Sequence, residues 1–178
     1  MVKVHSMVGV SGSGKSTMAK SIAAENGLER VSSDEIRSDM IKQGALDKDA
    51  AFTPAGRDVV LAAMRARVVE LVRAGKDVLI DSQNLNTKFR GMVFAELKGF
   101  DCYFIAHVMG TSREEVERRH AEREKVSPLY GFRVPQTKTM EERFKMFQPP
   151  TKAEGFDEIR IITEEEQAEN WRRRQLND

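Results

Sequence analysis

Cysteine is almost missing from this sequence: Cys102 stands alone in 178 residues, so no internal disulfide can form. Three scattered histidines, His5, His107 and His120, do not complete the four-ligand spacing of a structural zinc site with it. No run approaches the roughly 18 apolar residues of a membrane span, and the opening segment is too short and polar for a signal-peptide core. Excess charge is lacking too. With 29 basic and 28 acidic residues the formal charge is +1, so no global field favours a polyanion and any phosphate recognition must be local. Repeats, low-complexity tracts and Gly/Pro/Ser-rich linkers are also absent. We therefore expect a soluble cytoplasmic protein without a targeting segment or membrane partner, folded as one domain over 1–178.

What is present is an alternation of two periods. Residues 2–8, 30–32, 77–81, 102–109 and 158–162 read as strands; 15–26, 53–74, 86–98 and 112–124 read as helices. In the longest helix Val60, Met64, Val68 and Leu71 share one stripe. Thr53-Pro54 supplies an N-cap before a proline at the first helical position, and Ser112-x-x-Glu115 and Thr163-x-x-Glu166 have the form of capping boxes. Strands separated by crossover helices predict an α/β fold: a five-stranded, mainly parallel sheet with helices on both faces and its binding site at the carboxyl ends of the strands.

The chemistry-bearing residues fall at those ends. Gly9-Val10-Ser11-Gly12-Ser13-Gly14-Lys15-Ser16 fits G-x-x-x-x-G-K-[ST] without a mismatch, between the first strand and the first helix, where a P-loop has to lie. Glycine permits the backbone turns that converge amides on phosphate oxygens, and the helix N-terminus adds its dipole. The pattern predicts a nucleoside triphosphate held by Gly9, Ser11, Gly12, Ser13, Gly14, Lys15, Ser16 and Thr17, with Lys15 on the β- and γ-phosphates and Ser16 on Mg²⁺. No N-K-x-D guanine-reading motif is present. The length argues against a motor or AAA-type ATPase and suits a small phosphotransferase. Such an enzyme also needs a proton acceptor, cations around the transferring group and a surface for the acceptor.

Ser32-Ser33-Asp34-Glu35-Ile36-Arg37 follows the second strand and Asp81-Ser82-Gln83-Asn84-Leu85-Asn86 the third. With the glycine loop, this set resembles the kinase domain of polynucleotide 5′-kinases of the phage-type and bacterial end-healing families. Their motifs read approximately G-x-x-G-x-G-K-S-T, [SR]-x-D-x-x-R and D-x-[TS]-N. The likeness runs through nearly the whole chain, and Gln83 departs from it where Thr or Ser is usual. It implies the P-loop NTPase/kinase fold, ATP and Mg²⁺ as cofactors, and the 5′-hydroxyl of a DNA or RNA end as acceptor, as in nucleic acid end repair. It also implies Asp34 as general base and Arg37 on the acceptor's phosphate backbone. The residues themselves leave alternatives open: Asp34 as a helix cap, and Arg37 as a surface partner of Asp34 or Asp39. Asp81 ends an apolar strand, where a carboxylate can hold a magnesium-bound water or the acceptor. Asn84 suits either acceptor binding or a bond across strand ends.

Beyond residue 112 the chain is rich in arginine, as a helical lid over about 112–147 would be. Arg119 and Arg123 are four apart on one helix face, and the resemblance implies an arginine pair here that bridges the donor's phosphates, with Arg123 catalytic. Ordinary pairs, Glu114 with Arg118 and Glu115 with Arg119, account for the same residues. Tyr130, Phe132 and Arg133 occupy an aperiodic loop where they stack on a base or anchor the lid. Trp171-Arg172-Arg173-Arg174 ends an otherwise acidic helix and suits its dipole as well as it suits a nucleic acid. Two further functions compete with the polynucleotide reading: a kinase of a small molecule, nucleotide or hydroxymethylated base in DNA, and an ATP-binding switch with no phosphoryl acceptor.

Overall fold

A computed structural model describes residues 1–122, 127, 129–131 and 138–177. Five strands, β1 (Val2–Val8), β2 (Glu29–Ser32), β3 (Val78–Asp81), β4 (Cys102–Met109) and β5 (Glu158–Ile162), form one sheet in the order β2-β3-β1-β4-β5. Every neighbouring pair is parallel. Parallel neighbours require crossovers, which the helices supply: α1 (Lys15–Asn26), α2 (Ser33–Lys42), α3 (Pro54–Arg73), α4 (Thr87–Glu96), α5 (Arg113–Glu122), α6 (Met140–Lys145) and α7 (Glu164–Asn177). The expected strands and long helices are all there, their ends within one residue of those expected, or two for the close of α4; residues 123 and 124 of the helix expected over 112–124 lie outside the described residues.

Both faces of the sheet are covered. Val4, Val78 and Ile80 pack against Met64, Val68 and Leu71 of α3 and Val93 of α4. The opposite face brings Met7, Leu79, Met109 and Ile162 onto Met18 and Ala19 of α1. Strands buried on both sides have to be continuously apolar, which is why Val78-Leu79-Ile80 shows no alternation. The stripe predicted for the long helix, Val60, Met64, Val68 and Leu71, is entirely buried.

Caps set where the helices begin. Thr53 Oγ1 accepts from the Gly56 amide ahead of Pro54, and Thr163 and Glu166 form the reciprocal box expected of them. The Ser112 box is only half made. Ser112 Oγ accepts from the Glu115 amide, but the Ser112 amide donates to Glu164 of α7, and the Glu115 carboxylate turns to Arg118 and Arg119. Arg118 thus pairs three residues back with Glu115, where the sequence predicts Glu114. The expected lid is described only in part: α5, Ser127, Leu129 to Gly131 and α6 belong to it, while Arg123, Phe132 and Arg133 lie outside the described residues.

With β1 in the middle of the sheet, flanked by β3 and β4, the loop leaving β1 emerges beside the carboxyl ends of both neighbours. The topology brings the glycine loop and Asp81 to one rim.

Candidate active site

The glycine loop turns on two residues in the left-handed region, Gly12 at φ 91° and Gly14 at φ 89°, where an L side chain is strained. Gly14 is also the N-cap of α1, so the loop runs directly into the helix's free amides. Ser13 is buried, its Oγ donating to the Val10 carbonyl at 2.8 Å. The same carbonyl accepts from Lys15 Nζ at 2.6 Å, which keeps that ammonium folded over its own loop. Ser16 and Thr17 are exposed in the first turn of α1, and Ser11 lies on the loop between them and β1.

Asp81 closes β3 with a side chain only 2% exposed. Two groups hold it. Ser16 Oγ donates to Oδ1 at 3.3 Å, and Arg30, the second residue of β2, donates to Oδ2 through Nε at 3.0 Å and Nη2 at 2.6 Å. The other end of the Arg30 guanidinium donates to Glu35 of α2 at 2.8 Å. Burial works against the charge of Arg30, but the bonds to Glu35 and Asp81 outweigh it and raise its pKa. The series Ser16, Asp81, Arg30, Glu35 therefore runs unbroken from the glycine loop to the first turn of α2.

Asp34 stands in that same first turn, and Ser32, which ends β2, lies opposite Asp81 in the sheet register. Ser32 Oγ makes the cap bond of α2, to the Glu35 amide, so the capping alternative for Asp34 is taken by its neighbour. The Asp34 carboxylate, more than half exposed, pairs instead with Arg37 one turn on. Arg37 is the buried member. Its guanidinium lies 5.3 Å from the Phe52 ring centroid and also donates to the Tyr130 hydroxyl at 3.1 Å. Tyr130 in turn packs edge-on against Phe52. Burial, and then the Asp34 charge, push the Tyr130 phenol far above its ordinary value, so it remains a hydrogen-bond donor. Tyr130 accordingly takes the anchoring role of the two that the sequence leaves open, against α2.

Asn84 is buried in a left-handed conformation, φ 49°, and its Nδ2 donates to the Met7 carbonyl at 2.9 Å. Next to it the Gln83 carbonyl accepts from the Gly9 amide at 3.1 Å. This is the bond across strand ends: it ties β3 to β1 just below the glycine loop.

Arg119, on α5, reaches the loop from the other side. Its Nε donates to Glu115 at 2.7 Å and its Nη1 to Gln167 Oε1 at 3.0 Å. Hydrogen bonds from Arg118 and then Arg119 hold the Glu115 carboxyl down at about 2. Arg30, Gln167 and Thr111, whose Oγ1 donates to the Ser13 carbonyl at 2.8 Å, are site residues that the sequence did not reveal. Each acts across the fold on a residue far away in the chain, and no local pattern marks them.

A family model described as an AAA domain matches residues 4–149. The chain belongs to that AAA domain family. The matched segment holds the glycine loop, Asp34 and Asp81. No curated protein matches the sequence. Among solved structures, a sugar kinase from Janibacter sp. HTCC2649 is 18% identical at TM-score 0.64, covering 99% of this chain and 93% of its own. Kti12 from Chaetomium thermophilum, solved with ADP-AlF3, is 18% identical at TM-score 0.66, with 97% of each chain covered. A chain of the Pnkp1/Rnl/Hen1 complex is 24% identical at TM-score 0.53, over 66% of this chain and 38% of that one. At these identities the likeness is one of fold, and the fold of this AAA domain protein is that of the P-loop kinases. Among the described residues no helix is long and apolar enough to cross a membrane.

Proposed function

We propose that this protein is an ATP- and Mg²⁺-dependent phosphotransferase that moves the γ-phosphoryl group to the 5′-hydroxyl of a DNA or RNA end. One observation carries the reading: an aspartate and an arginine, Asp34 and Arg37, stand together on a strand-to-helix turn whose first residues are linked through Arg30 and Asp81 to Ser16 of the glycine loop. A switch that only hydrolyses nucleotide has no need of that pair.

In this reading the loop amides from Gly9 to Ser16 cradle the phosphates. Lys15 leaves the Val10 carbonyl for the β- and γ-phosphates, and Arg119 and Arg123 add cations from the lid side. Ser16 Oγ and Asp81 Oδ1 are hard oxygen donors side by side, which fits Mg²⁺, an ion held mainly by water and substrate phosphates. Ser16 would hold it directly and Asp81 through water, and the bound ion would offset charge on the transferring group. Asp34 takes the acceptor hydroxyl's proton as the oxygen bonds to phosphorus and the bond to ADP breaks, while Arg37 holds the acceptor's adjoining phosphate. Asn84 supports the glycine loop from below, through its bond to Met7 of β1.

A second reading, a kinase of a small molecule, is favoured by the near full-length match to a chain named as a sugar kinase. One experiment separates the two: γ-labelled ATP with Mg²⁺ offered to 5′-hydroxyl oligonucleotides, nucleosides, nucleoside monophosphates, sugars and hydroxymethylated duplex DNA. Label on the oligonucleotide 5′ ends, lost in Asp34→Asn while ATP binding persists, is the expected result. Label only on a small acceptor selects the second reading, and equal transfer by the Asp34→Asn variant removes Asp34 from the chemistry.

A further inference from the structure

Gln167 lies on α7, beyond the segment that the AAA domain model matches, yet it touches the machinery around the glycine loop. We propose that Gln167 is a positioning residue for nucleotide binding, holding the loop through Thr111 and Arg119 directly. The proposal rests on the reading of the loop as the nucleotide site.

The hydrogen bonds fix the amide in one orientation. Thr111 Oγ1 donates its single proton to the Ser13 carbonyl at 2.8 Å, so toward Gln167 it can only accept. Gln167 Nε2 supplies that donor at 3.0 Å. The amide oxygen then faces Arg119, whose guanidinium only donates, at 3.0 Å. Flipping the amide would set its nitrogen against Arg119 Nη1, donor to donor, while Thr111 Oγ1, 3.3 Å from the oxygen's place, would stay within reach of either end. The side chain is buried, so water does not replace these bonds cheaply.

The space between these groups and the loop is filled. A Cβ added at Gly14 would lie 2.9 Å from Gln167 Oε1 and 3.1 Å from Arg119 Nη1, so both side chains rest on the bare Cα of Gly14. Arg119 is thus set from two sides, by Glu115 of its own helix and by Gln167 of α7. α7 is itself fixed at both ends: Glu164 accepts from the Ser112 amide at 2.8 Å, and Arg173 pairs with Glu25 of α1 at 3.4 Å. The C-terminal helix acts on the nucleotide loop as a back plate.

The test is calorimetric binding of ADP and of a non-hydrolysable ATP analogue, with Mg²⁺, to the full chain. Gln167→Leu keeps the size and removes both polar ends; the affinity for each nucleotide should fall about tenfold, with the KM for acceptor close to the parent's. In an Arg119→Ala background the same substitution should cost much less, because part of its effect passes through Arg119. Thr111→Val should weaken binding and Thr111→Ser restore it, and this pair stands if Gln167→Leu does not fold. Unchanged nucleotide affinity in folded Gln167→Leu or Thr111→Val overturns the proposal, as does full additivity with Arg119→Ala. A parent protein that binds neither nucleotide overturns the reading of the loop itself, and that is seen before any variant is made.

Discussion

The Tyr130 hydroxyl lies 3.2 Å from Asp34 Oδ1, the carboxylate oxygen that also pairs with Arg37. If Asp34 receives the proton of an acceptor hydroxyl, that hydroxyl competes with the phenol for the same oxygen. A hydrogen bond of this kind contributes about 1 kcal/mol net. Tyr130→Phe should therefore lower the acceptor KM about fivefold and leave the KM for ATP alone, as steady-state kinetics with each substrate varied in turn will show. An unchanged acceptor KM would mean that Tyr130 and the acceptor do not meet.

Gly14→Ala should lose nucleotide binding while the sheet stays folded. The new methyl would sit in a left-handed conformation, which costs about 1–3 kcal/mol, and would push on Gln167 and Arg119. Gly91→Ala is the control. Nothing lies within 4 Å of a Cβ there, inside helix α4, so that change should raise stability by up to about 1 kcal/mol. Thermal unfolding and nucleotide titration on both variants check the contrast.

Arg90 is buried at the start of α4 and gathers three distant segments. It donates to both oxygens of Glu154, to the Asn84 carbonyl and to the Gln148 carbonyl. Burial tends to raise the Glu154 pKa, but the bond and charge of Arg90 hold it below its ordinary value. Arg90→Met strands a carboxylate and two carbonyls, a loss of about 3–5 kcal/mol. A fall in Tm of about 10 °C is expected, whereas an unchanged Tm would show that the cluster relaxes freely.

His5 and His107 stack across β1 and β4, with His5 Nδ1 and His107 Nε2 2.9 Å apart. Burial lowers both pKa values from 6.5 to about 4, and their mutual repulsion adds to the shift at His107. Arg160 lowers both further and Glu158 opposes it at both, while at His5 Lys3 lowers the pKa and Asp77 raises it. The unfolded chain takes up protons near pH 6.5 that the folded chain refuses. Stability is thus complete above pH 6.5 and falls as pH drops toward 4. Urea midpoints at pH 7 and pH 5 should show that decline in the parent and a smaller one in His107→Gln.

Local chemistry made much of this fold legible in the sequence. The change of period marks strands and helices, the Thr53-Pro54 cap marks the start of α3, and the glycine loop is one uninterrupted octapeptide whose residues act where they stand. Arg30, Thr111 and Gln167 were not legible, because each finds its partner only after the sheet has formed. Arg30 and Asp81 are separated by 51 positions, and Thr111 and Ser13 by 98. The Ser112 box is intact in the sequence but half made in the fold: the Glu115 carboxylate turns to two guanidiniums three and four residues on along its own helix, and the Ser112 amide turns to Glu164 from across the fold.

The middle place of β1 in the sheet has one more implication, for motion. Fraying begins at outer strands, and here the outermost are β2 and β5, so a thermal excursion has to peel a neighbour away before it loosens the strand that carries the glycine loop. Amide protons along Val4–Val8 should consequently be among the last to exchange with deuterium. The backbone that feeds the loop then stays still while the rim around it breathes.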